Sequence, residues 1–416
     1  MFPNRMAGLL IGLLCLVRGE AMALSLDEAL TRAALAPDVL SSRADEEAAQ
    51  ALASAAGQLP DPRLVLTVDD FMLEGESRYR FDGSKRMLGV MQELPAATKR
   101  EAERQKAEAV REGSARAREF AQLAARREVS LLWLKLHFLT RKEALLKVSA
   151  DEIQRRHKVS VATLAGGGGA DMALEPLFDR QEVDDAFDLL TRDLQVVRAG
   201  LARWIGPLVP NETASGELPA WAREAVVSSA DAARAPGDAD PETELRASKA
   251  RIGVAEAEWL MARADKSLDW SVEIGFGRDA MGQSMMMAKV GLSLPVFPDS
   301  RQTPRITAAR AMLVSAEAEH AMRKAEFTRQ REELLADETA LCARLDRLAV
   351  ETLPLLDRAI SLAEAAFSSG KGSAVALIMA REKRLAAQMR VIDLEAERAA
   401  VRTRLHFLQQ RGGETS

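Results

Sequence analysis

Two periods run along this chain, and they change at definite places. Ile306, Leu313, His320, Phe327, Leu334, Leu341, Leu348 and Leu355 fall at intervals of seven, with one polar exception. Leu132, Leu139, Leu146 and Ile153 do the same nearer the N-terminus. Sustained heptads predict coiled-coil helices rather than a globular core. From 96 to 164 there is no proline and one glycine, Gly113. A single helix over that span would run about 104 Å at about 1.5 Å per residue. From 305 to 367 the only breaker is Pro354.

Between the helical stretches the period drops to two. Trp270, Val272, Ile274 and Phe276 interleave with Ser271, Glu273, Gly275 and Gly277. Val290, Leu292 and Leu294 interleave with Lys289, Gly291 and Ser293, and Leu64, Leu66 and Val68 oppose Val65, Thr67 and Asp69. Such alternation predicts strands with one apolar and one polar face. It suits a half-buried sheet and equally a barrel wall with lipid outside and water inside. Barrels of the outer-membrane kind begin at about 8 strands, so four strands from one chain span only if several chains share one barrel.

The whole pattern occurs twice. "RMLGVMQELPAATKR" near residue 90 answers "MMAKVGLSLPVFPDSR" near 290, with Leu94-Pro95 and Leu294-Pro295 200 residues apart. "LPDPRLVLTVDD" (59–70) corresponds to "SLDWSVEIGFG" (267–277), and the glycine break at 166–169 to "FSSGKGSAVAL" (367–377). The expected organisation is a signal peptide at 1–23, a first repeat at 24–204 and a Pro/Gly/Ser-rich linker at 205–241. A second repeat at 242–411 and a disordered tail at 412–416 follow. Strands are expected near 62–71, 86–94, 268–278 and 285–294. Gly-bearing tip turns are expected at 165–170 and 368–373, since consecutive glycines break a helix firmly. The fold class is mainly α with a small β part, built as two tandem repeats of long helical hairpins.

The N-terminus supplies Arg5, an apolar run from Ala7 to Val17 and Ala21-Met22-Ala23 as a cleavage site, the plan of an export signal. Cys15 offers an alternative, a lipid-bearing cysteine, although Leu14 suits that poorly. Maturation would leave Cys342 as the one thiol and no internal disulfide. The chain is 47% hydrophobic but only 4% aromatic, which suits Ala/Leu/Glu/Arg helices better than an enzyme core. A net charge of −5 and the lack of a basic patch with interleaved aromatics argue against nucleic acid.

Catalytic chemistry is not in evidence. His137, His157, His320 and His406 are scattered, with neither H-E-x-x-H nor a cysteine partner. "SSGKGSA" (368–374) lacks the Ser or Thr after Lys371 that a phosphate loop needs. Met285-Met286-Met287 invites a copper reading, because thioethers suit Cu(I). In a strand the middle one faces away from the other two, and packing is the reading preferred. No enzyme activity, cofactor or resident metal is expected.

The order and spacing of "LPDPRL", "GVMQELPAATKR", "VGLSLPVF" and the two Gly-bearing turns resemble TolC-like outer-membrane efflux proteins. The Q-E-L-P element is most similar to the CzcC-type heavy-metal and cation efflux subgroup. The resemblance implies a homotrimer whose four strands per chain form one outer-membrane β-barrel in lipid, continued by an α-helical tunnel across the periplasm. It implies an exit duct in a tripartite system, with a periplasmic membrane-fusion adaptor and a proton-driven inner-membrane pump of the resistance-nodulation-division type. It also implies adaptor docking at the tip turns, Gly166, Gly167, Gly168 and Gly169 in the first and Gly370, Lys371, Gly372 and Ser373 in the second. The cargo implied is a heavy-metal or other cation. A duct for drugs or secreted polypeptides is the alternative, and a coiled-coil adaptor fits less well.

One acidic constellation stands out. Asp171, Glu175, Asp179 and Glu182 are spaced 4, 4 and 3, which puts them on one helical face. Like charges so placed repel by a few tenths of a kcal/mol per pair. The row is either a solvated face near a helix N-terminus or an acidic lining that concentrates cations at the tunnel entrance.

Overall fold

The computed structural model describes residues 23–70, 73–74, 81, 84–165, 171–208, 213–214, 216–223 and 243–409, without the side chains of 171–173. Residues 1–22 of the expected signal peptide, Gly166 to Gly169, most of the linker and the tail lie outside the described residues.

The first half runs β1 (Ala23–Leu24), α1 (Leu26–Ala33), α2 (Pro37–Ala55), β2 (Arg63–Asp69), β3 (Lys85–Leu94), α3 (Ala97–Ala165) and α4 (Asp171–Ile205). After β4 (Thr213–Ala214) and α5 (Ala220–Arg223) the second half repeats the order. It has α6 (Thr243–Ala264), β5 (Asp269–Arg278), β6 (Ser284–Ser293), α7 (Pro298–Arg347), a π-helical turn (Leu348–Thr352), α8 (Leu353–Ser368) and α9 (Ala374–Gln409). Helix α3 is 69 residues long without a break. No described helix is long and apolar enough to cross a membrane.

The chain forms two compact units, each drawn from both halves. One takes Met1–Ala33, Val129–Ala220 and Ala343–Ala399. Its core is a set of helical seams. Val129, Trp133, Leu136, Leu146 and Ile153 of α3 are buried, as are Leu190, Leu194, Val197 and Leu201 of α4. In α9, Ile378, Leu385, Ile392 and Ala399 are buried at intervals of seven. The indole N–H of Trp133 donates to the Leu24 carbonyl at 2.9 Å, which ties down β1 where it pairs in parallel with β4.

The other unit takes Ala34–Glu128, Trp221–Cys342 and Ala400–Ser416. It holds an antiparallel sheet of order β2-β3-β5-β6, so β3 and β5 join strands from the two repeats. Asp269, at the start of β5, accepts the backbone N–H of Ala96 at 3.0 Å and meets Lys99 Nζ at 2.6 Å. It thereby caps the first turn of α3, whose leading amides have no partner within the helix. Arg402, also buried, donates to Glu338 and to the carbonyls of Ala222 and Arg223.

One heptad expectation fails. Ile306 through Leu348 hold the inward face of α7 and its extension, but Leu355 is 62% exposed and Leu356 takes its place on that face. Pro354 cannot donate to the preceding turn and its ring crowds the carbonyl four residues back. The π turn just before it widens the ladder by one residue and shifts the seam by the same amount.

Candidate functional site

The sheet has two unlike faces. Across it the rungs read Leu64, Val90, Ile274, Ala288, then Leu66, Leu88, Phe276, Met286. Gln92 with Val272 and Val290, and the trio Leu94, Trp270, Leu292, continue the same face. Leu66 is 74% exposed and Phe276 and Met286 are each 64% exposed. At one margin Arg86, Arg278 and Ser284 end the apolar run. The opposite face carries Thr67, Glu93, Ser271, Glu273 and Lys289 among Gly89, Gly275, Gly277 and Gly291. Arg63 meets Glu93 at 3.2 Å and Lys289 meets Glu273 at 3.8 Å across strands. Strands β3, β5 and β6 have ten residues each, enough to cross a bilayer when tilted. Among the described residues the outer edges of β2 and β6 have no strand partner.

The second tip is a defined turn. After α8 the N–H of Lys371 donates to the Ala366 carbonyl at 2.9 Å and that of Gly370 to Phe367 at 3.0 Å. This is a Schellman closure, and Gly370 holds φ +68 at its left-handed position. A side chain at Gly372 would begin 2.8 Å from the Ala366 methyl, so close approach requires glycine there too. Ser373 Oγ accepts the N–H of Ala376 at 3.1 Å and caps α9. Gly370, Lys371, Gly372 and Ser373 are all exposed. The first tip, Gly166 to Gly169, is outside the described residues.

All four members of the acidic row belong to α4. The side chain of Asp171 is outside the described residues, and Glu182 is exposed. Asp179 and Glu175 gather on Arg156 of α3, with Glu175 at 3.8 Å and Asp179 in direct contact. Glu382 of α9 lies 3.1 Å from the same guanidinium, which is only 3% exposed. Burial holds the Glu382 carboxyl above the ordinary carboxylate range, against the pull of Arg156. The sequence does carry a sign of Arg156. It follows Ile153 by three and precedes Ser160 by four, so it lies on the buried stripe and must find counter-charges.

The histidines serve packing. His137 stacks on Trp133 and His406 on Trp221, and burial lowers both imidazole pKa values. His320 shares a 2.7 Å hydrogen bond with Ser248. Among the described residues no group of three or more His, Cys, Asp or Glu could hold a metal ion.

Residues 241–409, somewhat less than half of the chain, match the family model described as outer membrane efflux protein. No curated protein sequence matches. Among solved structures, the outer membrane protein VceC from Vibrio cholerae superposes with TM-score 0.74 at 17% identity, over 94% of this chain and 97% of that one. CusC, solved in a study of folding and transmembrane channel formation, gives 0.69 at 14% identity, over 93% and 92%. The open MtrE outer membrane channel of Neisseria gonorrhoeae gives 0.72 at 15%, over 94% and 90%. The fold is therefore that of these channels, mainly helical with a four-stranded sheet and long hairpins. It is shared by structures with little sequence in common.

Proposed function

We propose that this chain is the outer-membrane exit duct of a tripartite efflux system. Three copies supply twelve strands to one barrel, and their helices continue into the periplasm. The observation that carries the reading is the sheet. A largely apolar, exposed face, broken by Gln92, stands opposite a polar, glycine-rich one, on strands of bilayer-crossing length with two open edges. Unsatisfied strand edges are costly in lipid, and only closure removes them. A periplasmic adaptor docks at the helical tips and links the duct to a proton-driven inner-membrane pump. The duct is passive and performs no chemistry. The cargo is a heavy-metal or related cation. Support for that comes from the Q-E-L-P lineage element.

The test is assembly. Protein extracted in detergent is expected at about three times the mature chain mass, with ohmic conductance in planar bilayers. A monodisperse monomer across several detergents would sink the barrel.

A further inference from the structure

The polar face of the sheet has an unexpected composition. Apart from Val65, its large apolar residues are all methionines, namely Met87, Met91, Met285 and Met287. The leucines, Ile274, Phe276 and Trp270 are on the other face, where Met286 is the only methionine. A water-lined wall gains nothing from apolar bulk, so thioethers in particular at these positions ask for a reason.

Their placement supplies one. Met87 of β3 is buried, and its methyl carbon lies 3.5 Å from where a side chain on Gly275 would begin. Met287 of β6 is the direct cross-strand partner of Gly275. One rung away, Gly277 lies between Met87 and Met285. At Gly275 the Met87 methyl occupies the place a side chain would take, and at Gly277 the β3 backbone at Arg86 comes too close for any side chain. Strands β3 and β6 are two strand spacings, or about 10 Å, apart. Two methionine side chains reaching inward can bridge that gap. In the next rung Met91 pairs with Glu273, whose Oε1 lies 3.6 Å from where a Gly89 side chain would begin. A carboxylate thus stands beside the thioethers.

We propose that Met87, Met285 and Met287 form a thioether site for a soft monovalent cation, Cu(I) or Ag(I), on the inner wall of the shared barrel. The inference rests on the exit-duct reading, which makes the polar face the inner one. Neutral sulfur donors select soft cations over Zn²⁺ and do not titrate, so binding is independent of the acidity of the compartment. Threefold repetition gives three such sites, each weak enough to release its ion.

The experiment uses the full chain in detergent, in a Cys342→Ser background so that no thiol answers the probe. Ag(I) is titrated against a chromophoric competitor, with Zn(II) in parallel. The triple variant M87L/M285L/M287L keeps volume and loses sulfur, and M286L reports the outer face. Ag(I) affinity is expected to fall at least tenfold in the triple variant, to stay unchanged in M286L, and Zn(II) is expected to show no difference. Unchanged Ag(I) affinity in an assembled triple variant overturns the site. If the triple variant does not assemble, the single variants M87L and M287L decide the matter, and affinities equal to wild type overturn the site equally. Conductance tests the duct separately. A wild-type monomer would sink the duct, while the Ag(I) comparison would still decide the thioethers.

Discussion

Arg156 is where three helices settle their charges. A buried guanidinium costs several kcal/mol unless it is paired, and here Asp179, Glu175 and Glu382 surround it. Replacing Arg156 with Met leaves Asp179, Glu175 and Glu382 without their shared cation, although Glu152 beside them keeps its own partner, Arg155. That variant should lose about 3 kcal/mol, read as a lower denaturation midpoint of the assembled protein. Glu382 has its own sign. Its carboxyl is raised above 4.5, chiefly by burial. A group raised on folding contributes stability in its protonated form, and that contribution is lost as pH climbs through the folded pKa. Glu382→Gln should therefore raise the midpoint at pH 7 and flatten its decline as pH rises above 4.5. A lower midpoint at pH 7 would mean that pairing with Arg156 outweighs burial. The carboxylates of this node were legible in the sequence as a spacing. Arg156 was marked only by its place on the buried stripe, and nothing local to it says which helix will bring the opposite charge.

Among the elements, the second tip separates two questions that a glycine mutation confounds. Gly370 needs φ +68 and Gly372 needs the room beside Ala366, so bulky residues there damage the turn before they report on docking. Gly370→Ala alone should cost about 1 kcal/mol of local stability, seen as faster amide exchange at 369–373. Lys371 is exposed, and its N–H, not its side chain, closes the turn. Lys371→Glu should therefore leave the turn and the amount of assembled protein unchanged, yet lower metal tolerance at least tenfold. Full tolerance in that variant would remove this tip from the proposed adaptor surface. Long helices and short strands were readable from period alone, because solvent and core leave a local mark on every residue. The phase past Pro354 was not readable. The proline announces a disturbance, but whether the chain kinks, stops or widens by one residue depends on what packs beside it. The junction of β3 and β5 is silent in the same way, since partners such as Val90 and Ile274 lie far apart in sequence.

On the scale of the whole molecule, the acidic row divides by role. Asp179 pairs directly with Arg156 and the exposed Glu175 stands 3.8 Å from it, whereas Glu182 is exposed on the same helix. If Asp171 and Glu182 line the entrance of the proposed duct, threefold repetition focuses a negative field there. The double variant D171N/E182Q should then shift the bilayer reversal potential toward neutrality, mostly at low salt, because screening at physiological ionic strength acts within about 8 Å. An unchanged potential at low salt would assign both residues to a solvated outer surface. The cap that Asp269 places on α3 bears on time rather than on charge. If the chain is exported as the proposed duct requires, the leading turn of α3 and the open edge of β3 both wait for a strand that emerges more than a hundred residues later. During that interval the first hairpin has an unpaired, apolar edge in an aqueous compartment, the condition in which strands find wrong partners. Export of the proposed duct would thus have a vulnerable period set by the distance between its repeats. A holding factor that recognises exposed strand edges would be needed from the emergence of β3 until β5 arrives.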